Sequence, residues 1–381
     1  MQTHPDVLII GGGVIGLTAA YYLAREGVHV SVLDKGDLGQ ESSWAGAGIL
    51  PGGNPKRARS PLGRLRACSI ALFPELSAEL RERTSIDNGY LRCGGLELRR
   101  SSDALERQRI DNLVREERGE GLHCEVLDAK QLRDLEPALA DTLPGAVYFP
   151  EMAQVRNPRH LKALILACGK LGVGLHRGCP AYGFIAEGER VAAIQTPEGA
   201  LPAGQFLIAA GSWSDMLLQR LGWRVEIRPV RGQIALLNVL PPLFNHVLMA
   251  GSEYLVPRSD GRILVGSTEE DVGFDKRTTA QAIQGLLSMA TALVPGLAMA
   301  PFERCWAGLR PGSPDGRPFL GPVPGFTNLF VASGHFRSGI QLSPGTGLVM
   351  KELLLGQPLS VPLEAFRLDR ISSAQNAAYR S

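Results

Sequence analysis

Four residues near the N-terminus have types and spacing that suit a phosphate-bridged dinucleotide: Gly11, Gly13 and Gly16, in the pattern G-x-G-x-x-G, and Asp34, eighteen residues beyond Gly16. Gly11 permits a sharp turn, Gly13 lets the backbone approach a pyrophosphate, and Gly16 lets a helix lie close on a strand. A carboxylate at position 34 can accept both hydroxyls of an adenosine ribose and repels a 2′-phosphate, so the pocket suits FAD or NAD rather than NADP. The flanking elements are the ones this turn requires. Residues 6–10 read as an apolar strand, 17–26 as an Ala- and Leu-rich helix, and 29–33 as a second strand ending in Asp34.

A second stretch chooses between the dinucleotides. Ser42-Ser43-Trp44-Ala45-Gly46-Ala47-Gly48-Ile49-Leu50 is rich in small and hydroxyl residues where an NAD dehydrogenase usually continues its alternating strands and helices. Small residues allow another close backbone approach to a large flat ligand, and Trp44, Ile49 and Leu50 are too apolar for a solvated linker.

Composition sets the outer limits. A chain of 381 residues that is 44% apolar can bury a sizeable core in about two domains. A net charge of +2, spread along the chain, argues against nucleic acid or an anionic membrane as the main partner. No basic and apolar leader precedes the first strand, and no apolar run reaches the ~18 residues of a membrane span, so a cytoplasmic protein is expected. Six cysteines lie scattered with no C-x-x-C or Cys/His pairing, a pattern expected of buried free thiols rather than a disulfide framework or a metal site.

Residues 61–83 carry apolar positions at helical spacing, with a break expected at Pro74. Residues 90–98 alternate as a strand around Gly94-Gly95, 101–119 form a charged helix, and 146–149 form another strand, which marks the start of a second, antiparallel unit. Asn157-Pro158 opens a helix that leads back to the first unit, and strands near 182–185, 190–196 and 200–201 form a meander. The apolar run 205–210 is expected to be a central parallel strand, and its small-residue exit, which includes Gly211, should lie near the ligand. Residues 225–237, 254–257 and 262–266 read as strands and 278–293 as a helix. Another buried strand spans 329–332, and a last helix is expected from about Thr346 to Leu355. Arg310, in Leu309-Arg310-Pro311-Gly312, could clamp a carboxylate or simply pair with Asp315 or Glu303; its neighbours in sequence leave both open.

Taken in order, the glycine turn, residues 42–50, the strand into Ala210-Gly211, Trp306 to Gly312 and Gly334 to Ile340 resemble the D-amino-acid oxidase and glycine oxidase family of FAD enzymes. With Gly266-Ser267-Thr268-Glu269 and Gly273-Phe274-Asp275, the likeness is to the glycine oxidases of the thiamine-biosynthesis type. The resemblance implies an α/β (α+β overall) fold, with a Rossmann-type FAD-binding domain interleaved with an antiparallel-sheet substrate domain. The first would comprise residues 1–84, 150–224 and 305–369, the second 85–149 and 225–304, with a flexible tail over 370–381.

Carried over residue by residue, the resemblance puts Gly11, Gly13, Val14, Ile15, Gly16, Asp34, Lys35, Ser42, Ser43, Ala47, Gly48 and Ile49 on FAD. Ala181 would meet the adenine through its backbone, Gly211 would lie at the strand exit, and His335, Phe336, Arg337, Ser338, Gly339, Ile340 and Gln341 would line the flavin ring. Arg310 would clamp the substrate carboxylate, Tyr254 would close the pocket, and Arg337 would be a second arginine on the flavin side. His335 is expected to be structural, bonding to backbone. Some relatives have a histidine where Ser252 stands, and those that attach FAD covalently have a cysteine where Gly308 stands, so the cofactor is expected to be noncovalent. The implied reaction is oxidation of glycine, sarcosine or small D-amino acids to an imine, with dioxygen as acceptor giving hydrogen peroxide, and the imine serving thiazole synthesis. An amino-acid or proline dehydrogenase that passes electrons to a quinone or protein acceptor is the alternative, and an FAD-binding partner protein without activity is a third reading. A homo-oligomer, such as a tetramer, is also implied.

Overall fold

The computed structural model describes residues 4–371 and is built on two sheets. The first has six strands in the order Phe319–Pro322, Leu329–Ser333, Gln205–Ile208, Val7–Ile10, Val30–Leu33 and Gly174–His176. Val7–Ile10 pairs in parallel with Gln205–Ile208 on one side and Val30–Leu33 on the other, with Ile10 opposite both Ile208 and Leu33. Strands buried on both faces need apolar residues at every position, and Val7–Ile10 is buried throughout. Val7 and Ile9 enter the core under the helices Val14–Arg25, Pro61–Thr84, Asn157–Lys170 and Gly339–Leu354. Leu8 and Ile10 face the opposite core, with Ile194 and Trp223, beneath the meander Gly183–Glu187, Arg190–Thr196 and Gly199–Pro202.

The second sheet has eight strands, running Phe302–Gly312, Arg228–Asn238, Arg262–Gly266, Glu253–Pro257, Val247–Ala250, Gly95–Leu98, Gly145–Phe149 and Glu125–Asp128. Its neighbours are antiparallel except for Val247–Ala250 against Gly95–Leu98, which run parallel. Period-two alternation divides its strands. Ala235 and Leu237 pack with the helix Ala280–Leu293, while Ile234 and Leu236 face the side that carries Tyr254 and Ala47. Phe302–Gly312 pairs along Arg228–Asn238, so the boundary expected at residue 305 falls inside a strand of this second sheet. From residue 372 on, the expected tail lies outside the described residues.

Several local expectations are corrected. The helix Pro61–Thr84 continues through Pro74 without a break. Leu65, Phe73, Leu76 and Leu80 bury one face of it in the core, and four such side chains at ~1.5–3 kcal/mol each outweigh the ~3 kcal/mol cost of an internal proline. The last helix begins at Gly339, not near Thr346, and contains Pro344. Pro344 lies inside the helix; the Ile340 carbonyl, which a residue with an N–H at 344 would engage, accepts from Ser343 Oγ at 2.9 Å, and the next amide, Gly345 N–H, donates to Ser69 Oγ at 2.7 Å. Residues 90–98 are two strands, not one. Leu91–Arg92 pairs with Ala153–Gln154 in a small sheet, and Gly94, at φ +73°, turns the chain so that Gly95–Leu98 joins the large one. The six thiols are unbridged, but Cys68, Cys93 and Cys305 are only partly buried, unlike Cys124, Cys168 and Cys179.

Candidate active site

A cavity of about 1060 Å³ opens where the carboxyl ends of the parallel strands meet the second sheet, the position at which open α/β sheets bind ligands. Gly11 sits at its floor with φ +114°; a Cβ there would come within 2.4 Å of the Ala209 carbonyl oxygen. Gly16 does not line the cavity. An added Cβ would lie 2.0 Å from the Gly11 carbonyl oxygen, so its bareness serves the close packing of helix on turn. The helix Val14–Arg25 starts at this floor with no acidic residue in its first turn, leaving its positive end available to an anion.

Asp34 is fixed from both sides: Oδ2 accepts from Gly12 N–H at 2.8 Å and Oδ1 from Gly36 N–H at 2.9 Å. Burial pushes its carboxyl above the usual range, and the two amides oppose that shift. The segment Ser42–Ala45, expected only as a small-residue stretch, is a short helix. Ser43 Oγ accepts from Val14 N–H at 2.9 Å, and Ser42 Oγ donates to the Leu309 carbonyl. Gly48, at φ +70°, approaches Val155 so closely that a Cβ would lie 2.0 Å from its carbonyl oxygen.

Arg258, which sequence reasoning missed, holds this segment from behind. Its buried guanidinium donates to the Ala47 carbonyl at 2.6 Å, the Val155 carbonyl at 3.1 Å and Gln154 Oε1 at 2.5 Å. Burial pulls its pKa down to about 10. Lys35, Ile15, Ile49, Ala181 and Gly211 also line the cavity.

At the other end, the second sheet supplies Arg310 and Tyr254 from its strands. Among the described residues, no carboxylate forms an ion pair with Arg310. Its guanidinium donates to the Thr268 carbonyl at 3.0 Å and to Ser267 Oγ at 2.5 Å, whereas Asp315 pairs with Arg317 and Arg370, and Glu303 with Arg262. Burial pushes the Arg310 pKa below its usual value; Tyr254 and Glu269 pull the other way, and Arg337 adds to the decrease.

Two glycines make the room. A Cβ on Gly232 would lie 2.2 Å from an Arg310 guanidinium nitrogen, and one on Gly266 would lie 2.6 Å from the Tyr254 hydroxyl. Neither stands out from the chain's other glycines, 45 in all, because the close approach comes from cross-strand neighbours.

The turn into the last helix closes the cavity. Arg337 donates to the Ser252 carbonyl at 2.8 Å and lies 3.6 Å from Glu269. Phe336 holds a positive φ of 48°, a strained conformation for an aromatic residue. Ser338, Gly339, Ile340 and Gln341 present the start of the helix Gly339–Leu354 to the cavity, and Gln341 Nε2 donates to the Pro51 carbonyl at 2.9 Å. His335 bonds to the Thr346 hydroxyl at 3.1 Å, not to backbone. Burial pushes its pKa down to about 3, so it is neutral at ordinary pH.

The residues present fit a flavin dinucleotide. The floor around Gly11 admits no side chain, two helix N-termini line the wall, and a carboxylate stands at the end of the second strand. Fold and cavity thus define a dinucleotide-dependent oxidoreductase. Residues 6–353 match the family described as FAD dependent oxidoreductase (DAO), and the chain belongs to it. It is therefore an FAD-dependent flavoenzyme. A glycine oxidase from Pseudomonas putida is 38% identical over 361 residues, spanning 94% of this chain and 96% of its own. The crystal structure of glycine oxidase from Geobacillus kaustophilus superposes with a TM-score of 0.92 at 34% identity, over 97% of this chain and all of its own. A bifunctional ThiO/ThiG protein from Synechocystis is 34% identical over 99% of this chain, which corresponds to 55% of that protein. Among the described residues, no helix is long and apolar enough to cross a membrane and no His/Cys/Asp/Glu group could hold a metal.

Proposed function

We propose that this enzyme oxidises glycine, and with it small amines such as sarcosine and small D-amino acids, in the formation of the thiazole unit of thiamine. The observation that carries the reading is Arg310: a guanidinium facing the cavity beside Tyr254, with neutral acceptors behind it and, among the described residues, no carboxylate paired with it. A planar carboxylate is the complementary group, held through two parallel hydrogen bonds that lysine cannot make. Relatives that cover nearly the whole chain carry the name glycine oxidase, and the ThiO/ThiG relatives point to thiamine.

FAD would be held by Gly11, Gly13, Val14 and Ile15 at the pyrophosphate, Asp34 and Lys35 at the ribose, Ser42, Ser43, Ala47, Gly48 and Ile49 along the second segment, Ala181 at the adenine, and Gly211 and residues 335–341 around the ring. Bound there, it would supply a two-electron acceptor for the hydride of the substrate α-carbon, with dioxygen as the final oxidant and hydrogen peroxide as its product. Arg310 fixes the carboxylate and so the position of that carbon, for which hydride transfer requires a separation of about 3–3.5 Å. Tyr254 closes the pocket over the carboxylate, and Arg337 ties the Ser252 carbonyl across its mouth. A neutral amine loses the hydride without a protein base; the resulting imine then adds water and yields glyoxylate and ammonia, or is captured for thiazole synthesis. His335, neutral and bonded to Thr346, positions the turn and moves no proton. Gly308 lies against Ala45 with no thiol to form a covalent bond to FAD, which supports noncovalent binding. A cytoplasmic homo-oligomer completes the proposal.

The test is anaerobic mixing with glycine, sarcosine, D-alanine and proline, followed by admission of air. Rapid bleaching of the flavin by glycine, with fast recovery and peroxide, is expected. Bleaching by proline alone, with slow recovery in air, would overturn the assignment.

A further inference from the structure

The loop of residues 270–277, between the strand Arg262–Gly266 and the helix Ala280–Leu293, reaches from the second sheet onto the dinucleotide half of the cavity. One buried arginine clasps both of its limbs. Arg231 pairs with Glu270 at 2.5 Å on the outgoing limb, and with Asp275 at 3.2 Å and the Arg277 carbonyl at 3.0 Å on the returning one. Gln233 fastens the base again, donating to Glu270 at 2.8 Å and accepting from Thr279 N–H at 2.8 Å. The loop is therefore a formed projection with a fixed base.

Its outer end carries two side chains that grip the opposite wall. The Phe274 ring lies 5.2 Å from that of Trp213, and Lys276 Nζ lies 2.8 Å from Glu41 Oε2. Their partners are joined to one another: Lys35 Nζ is 3.0 Å from Glu41 Oε1 and sits 3.9 Å over the Trp213 ring. Lys35, Glu41 and Trp213 all line the cavity, whereas Phe274 and Lys276 do not. The two loop side chains thus hold the wall from outside, across the line where the two sheets meet. Phe274 remains 45% exposed, so the contact is shallow and can open without unfolding either core.

We propose that Phe274 and Lys276 form a latch that retains the dinucleotide: while they hold Trp213 and Glu41 the cavity wall is closed, and their release opens the path by which FAD leaves and enters. This rests on the reading that the cavity holds FAD. The latch sets the rate of cofactor exchange without touching the substrate clamp.

The test is dilution of the holoenzyme to nanomolar concentration, with the rise of free-FAD fluorescence as readout. Phe274→Ala and Lys276→Met together should release FAD about tenfold faster than the unaltered protein, a change worth about 1.4 kcal/mol, and Lys276→Arg should restore most of the difference to the single variant. Raising the salt concentration should hasten release from the unaltered protein and leave Lys276→Met unmoved, since an exposed ion pair is screened. The thermal midpoints of the flavin-free proteins serve as the control for folding. Release at the unaltered rate from folded Phe274→Ala and Lys276→Met holoenzymes would overturn the latch alone. A protein that takes up no FAD, or a Gly11→Ala variant that binds it normally, would instead overturn the cavity assignment on which the latch depends.

Discussion

Replacing Arg310 by Ala tests the site at the point where structure and chemistry meet. A guanidinium has five N–H groups; one points to the Thr268 carbonyl and one to Ser267 Oγ, which leaves three for a ligand. Two parallel bonds to an ionised carboxylate contribute about 1.5–3 kcal/mol each, so their loss costs about 3–6 kcal/mol. Water entering the vacated space recovers part of this, and at 1.4 kcal/mol per decade the glycine dissociation constant should rise by about two to three orders of magnitude. Arg310→Lys keeps the charge and loses the fork, so it should fall between. The assay is anaerobic rapid mixing at a series of glycine concentrations, the dissociation constant being read from the saturation of the bleaching rate, together with measurement of FAD content, because the clamp lies on the second sheet and FAD should stay bound. A dissociation constant for Arg310→Ala within about threefold of the original would refute the clamp.

Gly232→Ala should weaken glycine binding by at least tenfold at full FAD content, because its Cβ would meet the guanidinium at 2.2 Å and the side chain, not the strand, would move. Steady-state KM against FAD content checks it. Gly11→Ala should yield flavin-free and destabilised protein, since the added carbon meets backbone at 2.4 Å in a conformation with φ +114°; absorbance of the purified chain at the flavin band tests this. Arg258→Ala leaves the Ala47 and Val155 carbonyls and Gln154 Oε1 without their donor. At about 1–3 kcal/mol per orphaned acceptor it should lower the denaturant midpoint clearly, while Arg258→Lys should recover part of the loss.

The pH dependence of stability follows from two buried histidines. Burial pushes His335 from 6.5 to about 3 and His160 from 6.5 to about 4. The unfolded chain therefore takes up protons that the folded one refuses. Stability is full above pH 6.5 and falls below it, toward about pH 4 for His160 and about pH 3 for His335. Each contributes a slope approaching 1.4 kcal/mol per pH unit. Urea unfolding between pH 6.5 and 5, where carboxylates stay ionised, should show this loss, and His160→Asn should flatten it; equal slopes in the two proteins would refute the assignment.

The dinucleotide half of this molecule was legible because its geometry is local. Gly11, Gly13, Gly16 and Asp34 lie on one strand, turn, helix and strand unit, and each does its work against neighbours close in sequence or on the adjacent strand. The substrate half depends on cross-strand register, which periodicity does not specify. Arg310 lies opposite Val230, one residue along from the Leu309 and Arg231 pair, and Tyr254 lies opposite Gly266; only that register turns Gly232 and Gly266 into the spaces that admit their side chains. The residues alone left Arg310 open to Asp315 or Glu303 because both are close in sequence, and the fold removes both by giving Asp315 to Arg370 and Glu303 to Arg262. Arg258 was hidden for the same reason: its three acceptors lie 103 to 211 positions away along the chain. Register thus sets the charge of this end of the cavity: pairing the strands carries Arg310 away from Asp315 and Glu303, and under the proposed function a substrate carboxylate becomes its counter-ion.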